Sequence, residues 1–176
     1  MNYAAIKKRD IANGIGVRVS LFVSGCTHHC KNCFNQETWD FDYGEKFTEQ
    51  TKSEILQMLK PDFVNGLSLL GGEPFEAQNQ EELTKLLRAV KAEFPQKDVW
   101  CYTGYLFDKH LLSESRARTQ YTDEMLSYID ILVDGPYIEE QKDISLQFRG
   151  SKNQRIIDVK QSLATGSIII WKKLNK

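Results

Sequence analysis

An excess of charge of either sign is missing from this chain. Its 176 residues carry 23 Lys and Arg against 24 Asp and Glu, a net charge of −1. So small a net charge points to neither nucleic acid nor an anionic membrane surface as partner. Long apolar runs are missing too. The longest candidate, Ser167-Ile168-Ile169-Ile170-Trp171, is the size of a strand, far short of a membrane span. The first ten residues, Met1-Asn2-Tyr3-Ala4-Ala5-Ile6-Lys7-Lys8-Arg9-Asp10, lack the apolar core of a signal peptide. There is no internal repeat, low-complexity tract or linker, and the length suits one core better than two. These absences predict a single cytoplasmic domain spanning 1–176, with no nucleic acid and no membrane among its partners.

Cysteine is scarce but unevenly placed. Three of the four cysteines fall in Ser24-Gly25-Cys26-Thr27-His28-His29-Cys30-Lys31-Asn32-Cys33-Phe34-Asn35, with spacing C-x3-C-x2-C; the fourth, Cys101, is far downstream. In a reducing compartment such a cluster reads as metal-binding or catalytic rather than disulfide-bonded. Two centres fit three thiolates. One is a structural zinc knot, which needs a fourth ligand from His28, His29, Cys101 or His110. The other is an iron–sulfur cluster, in which three cysteines leave one iron open to an outside ligand.

The cysteine run follows a strand. Val17, Val19, Leu21 and Val23 alternate with Arg18 and Ser20 across Gly16–Val23. Thr48 is placed to cap a helix running to Lys60 and stopped by Pro61. Leu67-Ser68-Leu69-Leu70 is a short strand ended by Gly71-Gly72-Glu73-Pro74. Leu83, Leu86, Leu87, Val90 and Phe94 recur at helical spacing from about Gln80. Val99-Trp100-Cys101-Tyr102 is a third strand, ended by Thr103-Gly104-Tyr105. A short helix near Asp108–Leu112 follows, then a helix over Asp123–Ile129 capped by Thr122. Ile131-Leu132-Val133 is a strand ended by Asp134-Gly135-Pro136. Tyr137 to Asn153 reads as a long polar loop, either a place where a partner docks or the site is shielded or a plain mobile surface loop, and Arg155–Val159 and Ser167–Trp171 as two further strands.

Strands alternating with helices, the inner ones continuously apolar, predict an α/β fold with a mostly parallel sheet. In such sheets ligands bind beyond the carboxyl ends of the strands. The cysteine run, Gly-Gly-Glu-Pro, Thr-Gly-Tyr and Asp-Gly-Pro would then share one edge. Gly71 and Gly72 leave room for close approach to backbone, and Glu73 could accept a hydrogen bond from an ammonium group. A plain tight turn with a surface glutamate is the competing reading of that segment. Thr103 and Tyr105 are candidate cofactor contacts, and Asp134 a candidate for holding a ribose or orienting a partner. Cys101 reads as a core residue and His28 and His29 as supporting loop residues. Trp39 reads as a cover for the centre or a core anchor. Arg149 and Lys152 are either contacts for an acidic partner surface or, as two basic residues on a loop usually are, simply solvated.

Together, C-x3-C-x2-C after one strand and Gly71-Gly72-Glu73-Pro74 after the next resemble the radical S-adenosylmethionine superfamily. That resemblance implies a partial (βα)6-type barrel and a [4Fe-4S] cluster on Cys26, Cys30 and Cys33. It implies S-adenosylmethionine chelating the open iron, with Asn32, Cys33 and Phe34 on its adenosine side and Gly71, Gly72 and Glu73 on its methionine side. Asn32 departs from the pattern, since most members have an aromatic residue before the third cysteine. Within the superfamily, Cys33-Phe34-Asn35-Gln36-Glu37-Thr38-Trp39, Trp100–Tyr105, Val133–Tyr137 and Phe148–Asp158 resemble the anaerobic ribonucleotide reductase-activating proteins. The implied activity is glycyl-radical activation. An electron from a donor such as flavodoxin cleaves S-adenosylmethionine, and the 5'-deoxyadenosyl radical takes hydrogen from a glycine of the reductase large subunit. The alternatives are activation of another glycyl-radical enzyme, small-molecule radical chemistry, or a zinc-stabilised interaction domain.

Overall fold

In the computed structural model, which describes residues 1–172, the chain runs β1 (Asn2–Asp10), β2 (Val17–Val23), β3 (Glu45–Lys46), α1 (Glu49–Leu59), β4 (Val64–Gly71), α2 (Ala77–Glu93), β5 (Asp98–Tyr102), α3 (Thr122–Tyr128), β6 (Ile131–Asp134), β7 (Arg155–Asp158) and α4 (Val159–Thr165). All seven strands form one open sheet in the order β3-β1-β2-β4-β5-β6-β7. Only the central run β2-β4-β5-β6 is parallel. β1 and β3 on one side, and β7 on the other, join antiparallel. The expected α/β fold with a mostly parallel sheet is present in its parallel centre, and the antiparallel joins of β1, β3 and β7 make the whole sheet mixed.

The pleat sorts side chains between two layers. Val19, Leu21, Val23, Leu67, Leu69, Val99, Cys101, Leu132 and Ile157 form the main core with Ile55 and Leu59 of α1, Leu83, Leu86, Leu87 and Val90 of α2, and Met125 and Leu126 of α3. The opposite face carries Trp100, Ile131, Val133 and Ile156, covered by Tyr102, Phe148 and Trp171. Fully buried Arg18 lies on the same face, its guanidinium over the Trp100 ring and bonded to Ser68 Oγ, Leu67 O and Asp98. Both faces are covered, so the inner strands read as continuous apolar runs.

Local signals explain most boundaries. The Thr48 hydroxyl accepts from Thr51 N–H while the Thr51 hydroxyl accepts from Thr48 N–H, a reciprocal cap on α1. Other boundaries differ from expectation. α2 starts at Ala77 rather than near Gln80. Thr122 is the first residue of α3, not its cap, and its hydroxyl donates to Gln80 Oε1. Phe107–Leu111 is a single wide π-helical turn. Arg155–Val159 stops extending at Asp158, whose carboxylate caps α4 by accepting from Gln161 N–H, and Gly166 closes that helix with φ +67°. Ser167–Trp171 makes only a bridge, Ile157 to Ile170, beside β7.

Register fixes the edge. Val23 lies opposite Gly71, Leu69 opposite Cys101, and Tyr102 opposite Val133. The chain therefore leaves β2, β4, β5 and β6 at one end of the sheet, through the cysteine run, Gly72, Thr103 and Gly135.

Candidate functional site

At that end lies a cavity of about 600 Å³. Cys26, Cys30 and Cys33 line it together with Asn32, Phe34, Gly71, Gly72, Glu73 and Thr103. Tyr137, Ile144, Arg149 and Gln154 close it from the segment expected to be a long polar loop. That segment is held as a narrow turn by a Lys142–Ser151 bridge, while Gln154 Oε1 accepts from the N–H groups of Gly150 and Ser151. All four cysteines are free thiols, and Cys101 lies fully buried in β5, as expected of a core residue.

The cysteine run is pinned along its length. Gly25 N–H donates to Thr38 O and Cys26 N–H to Trp39 O, at 2.8 and 3.2 Å. Gly25 has φ +91°, and a Cβ there would lie 2.3 Å from the Phe41 ring, so only glycine passes. Asn32 has φ +56°. Asparagine tolerates that left-handed conformation better than an aromatic residue, which gives the departure at this position a backbone cause. Phe34 is 97% exposed at the cavity mouth, as is Ile144 at 95%.

Gly71 and Gly72 serve the chain itself as well as the cavity. A Cβ on Gly72 would sit 2.6 Å from Gly25 O, and one on Gly71, where φ is +105°, 2.7 Å from Val23 N. The side chain of Glu73 is 1% exposed. Its Oε1 accepts from Phe75 N–H and the Thr103 hydroxyl, both at 2.8 Å. Its Oε2 accepts from Gly104 N–H at 2.8 Å and meets His28 Nε2 at 2.9 Å. A carboxylate has about four acceptor sites, so all are taken. Glu73 is thus not the surface glutamate of the competing reading but a buried hub joining β4, β5 and the cysteine run, and an ammonium group would have to displace one of its partners.

Sequence reasoning missed a second set of ties. Glu76 Oε1 accepts from both the N–H and the hydroxyl of Thr27, at 2.8 and 2.6 Å. Asn79 Nδ2 donates to Ser24 O and Glu73 O, both at 3.0 Å. The signal available was a run of polar residues, Asn79 and Gln80, on the buried side of a helix. Asp134 does not join the cavity. It is fully buried, and its carboxylate accepts from Phe107 N–H and pairs with Arg155. The ion pair joins β6 to β7.

Burial pushes the Cys26 thiol up to about 12, against the opposing pull of the His28 and His29 backbone N–H groups at its sulfur. Cys30 is also raised by burial, partly offset by the Tyr137 backbone N–H. Both thiols must give up protons to ligate a metal.

Three of the four candidates for a fourth ligand are held elsewhere, and His29 is placed only by ring stacking. His28 is held by Glu73, and His29 stacks on Trp39 at 4.5 Å. His110 Nδ1 accepts from Leu106 N–H, and Cys101 is enclosed in β5. Among the described residues no three His, Cys, Asp or Glu side chains gather around a single-ion position.

Comparison with known proteins agrees with this arrangement. A family model described as a 4Fe-4S single cluster domain matches residues 12–157. An anaerobic ribonucleoside-triphosphate reductase-activating protein of Haemophilus influenzae is 45% identical over 158 residues, 89% of this chain and 97% of the relative. Proteins of the same name from Enterobacteria phage T4 and Vibrio cholerae serotype O1 are each 42% identical over 89% of this chain, covering 93% and 97% of their own lengths. With three free thiols on one cavity wall and relatives of this closeness along nearly the whole chain, the protein belongs to the family of anaerobic ribonucleoside-triphosphate reductase-activating proteins.

Proposed function

We propose that this chain activates an anaerobic ribonucleotide reductase by installing a glycyl radical on its large subunit. The observation that carries the reading is the meeting of Cys26, Cys30 and Cys33 with Gly71 and Gly72 on one cavity. On this reading the parallel run β2-β4-β5-β6 is the partial (βα)6-type barrel of the radical S-adenosylmethionine superfamily, acting as a single cytoplasmic domain.

A [4Fe-4S] cluster held by Cys26, Cys30 and Cys33 would, once reduced, supply the electron for reductive cleavage of S-adenosylmethionine, the chemistry needed to remove hydrogen from the reductase glycine. The residues present fit that group. Three free thiols would hold it, and among the described residues no fourth cysteine joins them on the cavity, which leaves a position for the amino and carboxylate groups of S-adenosylmethionine. Gly71, Gly72 and Gly104 bring backbone to the cavity wall. The Glu73 carboxylate is saturated, so the methionine ammonium falls to backbone rather than to Glu73. Asn32 and Phe34 form the opposite rim, where the adenosine would lie. Trp39 and the Tyr137–Gln154 segment narrow the opening and limit water. The electron comes from an external donor such as flavodoxin.

Purification without oxygen tests the reading. The protein should be brown, hold iron and sulfide, and cleave S-adenosylmethionine when reduced. One equivalent of zinc and no iron would end it.

A further inference from the structure

We propose that Ile144 is a partner-docking residue: with Phe34 it forms an apolar rim that takes an apolar side chain beside the reductase glycine as that segment enters the cavity. The inference rests on the reading above and adds to it the residues that receive the partner.

A single exposed apolar side chain is ordinary on a protein surface. Ile144 and Phe34 differ in where they stand and how they are held. Both line the cavity that carries the three thiols, and each is more than nine-tenths exposed. Ile144 sits at the tip of a built turn. Asp143 N–H donates to Gly150 O at 3.2 Å, and the Asp143 carboxylate accepts from the N–H and the hydroxyl of Ser145 at 3.0 and 2.6 Å. Leu146 N–H returns to Asp143 O at 3.3 Å. Two residues on, Phe148 anchors the turn by packing its ring on Trp100, with centroids 5.3 Å apart. The polar groups of the turn thus bond to one another, while the isoleucine side chain is left to water. An apolar group held out in a fixed position loses little freedom on binding, which suits a docking anchor.

The two side chains belong to one rim. Lys31, in the cysteine run that carries Phe34, reaches Glu140 at 3.1 Å and ties that run to the segment that carries Ile144. Other charges at the rim also bond within it. Lys152 pairs with Asp143 at 3.5 Å, and Arg149 donates to Gln154 O. These pairings leave the apolar side chains as the feature presented to a partner. What crosses the rim follows from the chemistry. Hydrogen is taken from the glycine only if its Cα reaches the cavity, so the residues on either side of it pass the mouth. An extended chain covers about 3.3–3.6 Å per residue, which brings side chains within about three residues of the glycine to the rim.

Binding of the full, cluster-loaded protein to immobilised reductase large subunit, measured by biolayer interferometry without oxygen, tests the rim. Ile144→Ser should bind about tenfold more weakly, the loss expected when one isoleucine side chain stays in water, and Ile144→Leu should bind like the parent. Ile11 is 76% exposed and follows β1 at the opposite end of the sheet, so Ile11→Ser makes the same change away from the mouth and should have no effect. Parent affinity should fall less than about threefold between about 0.1 and 0.5 M salt, because screening weakens surface ion pairs and not apolar contact. With benzoylphenylalanine in place of Ile144, irradiation should crosslink the reductase within about three residues of its radical glycine, read by peptide mass. Equal affinity of Ile144→Ser and the parent would overturn the proposal, as would an equal loss in Ile11→Ser. A crosslink elsewhere on the reductase, or a parent affinity that collapses with salt, would do the same. A parent that binds the reductase yet forms no glycyl radical would refute the functional reading, while the binding comparison would still judge the rim.

Discussion

Glu73 has no water to fall back on. Four donors converge on a carboxylate that is 1% exposed, and each donor left unpaired in such a place costs about 1–3 kcal/mol. Glu73→Gln keeps the volume but turns an acceptor into a donor facing donors. Urea unfolding should show a loss of at least about 2 kcal/mol, larger than a surface Glu→Gln change. Cys101 gives the contrasting case. It is wholly enclosed in β5 and does not line the cavity, so Cys101→Ala should cost about 1 kcal/mol for the lost sulfur while iron content stays unchanged. The three clustered cysteines were legible because their spacing alone places them on one loop. The roles of Glu73, His28 and Asp134 were not. Each depends on a partner 21 to 45 residues away, His28 on Glu73 and Asp134 on Arg155, and nothing in a local pattern marks such pairs.

At the level of elements, strands with alternating or continuous apolar residues were readable, and polar edges were not. β1 carries Lys7, Lys8 and Arg9 and is largely exposed, so its pattern resembles a loop until it pairs with β2. β3 has two residues and makes sense only against β1. α4 was hidden because it is short and buries only Val159 and Ser162. One junction between elements has a pH signature. The Asp130 carboxylate, between α3 and β6, accepts from Val99 N–H at 2.8 Å and pairs with Lys91 at 2.7 Å and with Lys160. Burial alone would raise its pKa, but the hydrogen bonds from Lys160, Lys91 and Val99 outweigh it and hold the group below the usual carboxylate range. A folded-state pKa below the unfolded value stabilises the protein above about pH 4 and loses that contribution as pH falls through the depressed value. Asp130→Asn should therefore cost about 1.5–3 kcal/mol at pH 7. The difference between variant and parent should shrink when melting is repeated near pH 3. A constant difference across that range would mean the charge of Asp130 contributes nothing.

For the whole molecule, the parallel centre of the sheet gathers four strand ends, and the antiparallel flanks leave that end open to a cavity. The gathering was legible from strand order and the four unusual strand endings. That Tyr137 to Asn153 could shield the site was legible as well; how the segment is held was not, because its anchors are side-chain bonds such as Gln154 to Gly150 within an otherwise polar stretch. Phe34 and Ile144, nearly wholly exposed, stand at the mouth where a large partner would meet the site. At this scale Cys30→Ala should lose cluster and S-adenosylmethionine cleavage together while the chain stays folded, since Cys30 is only half-buried and outside the core. Iron analysis and circular dichroism on one preparation would check both halves. The central claim is tested most directly by mixing the anaerobically reduced protein, S-adenosylmethionine and the reductase large subunit, then recording the electron paramagnetic resonance spectrum. A glycyl-radical signal that requires all three components is the expected result; continued cleavage of S-adenosylmethionine with no radical on the reductase would contradict it.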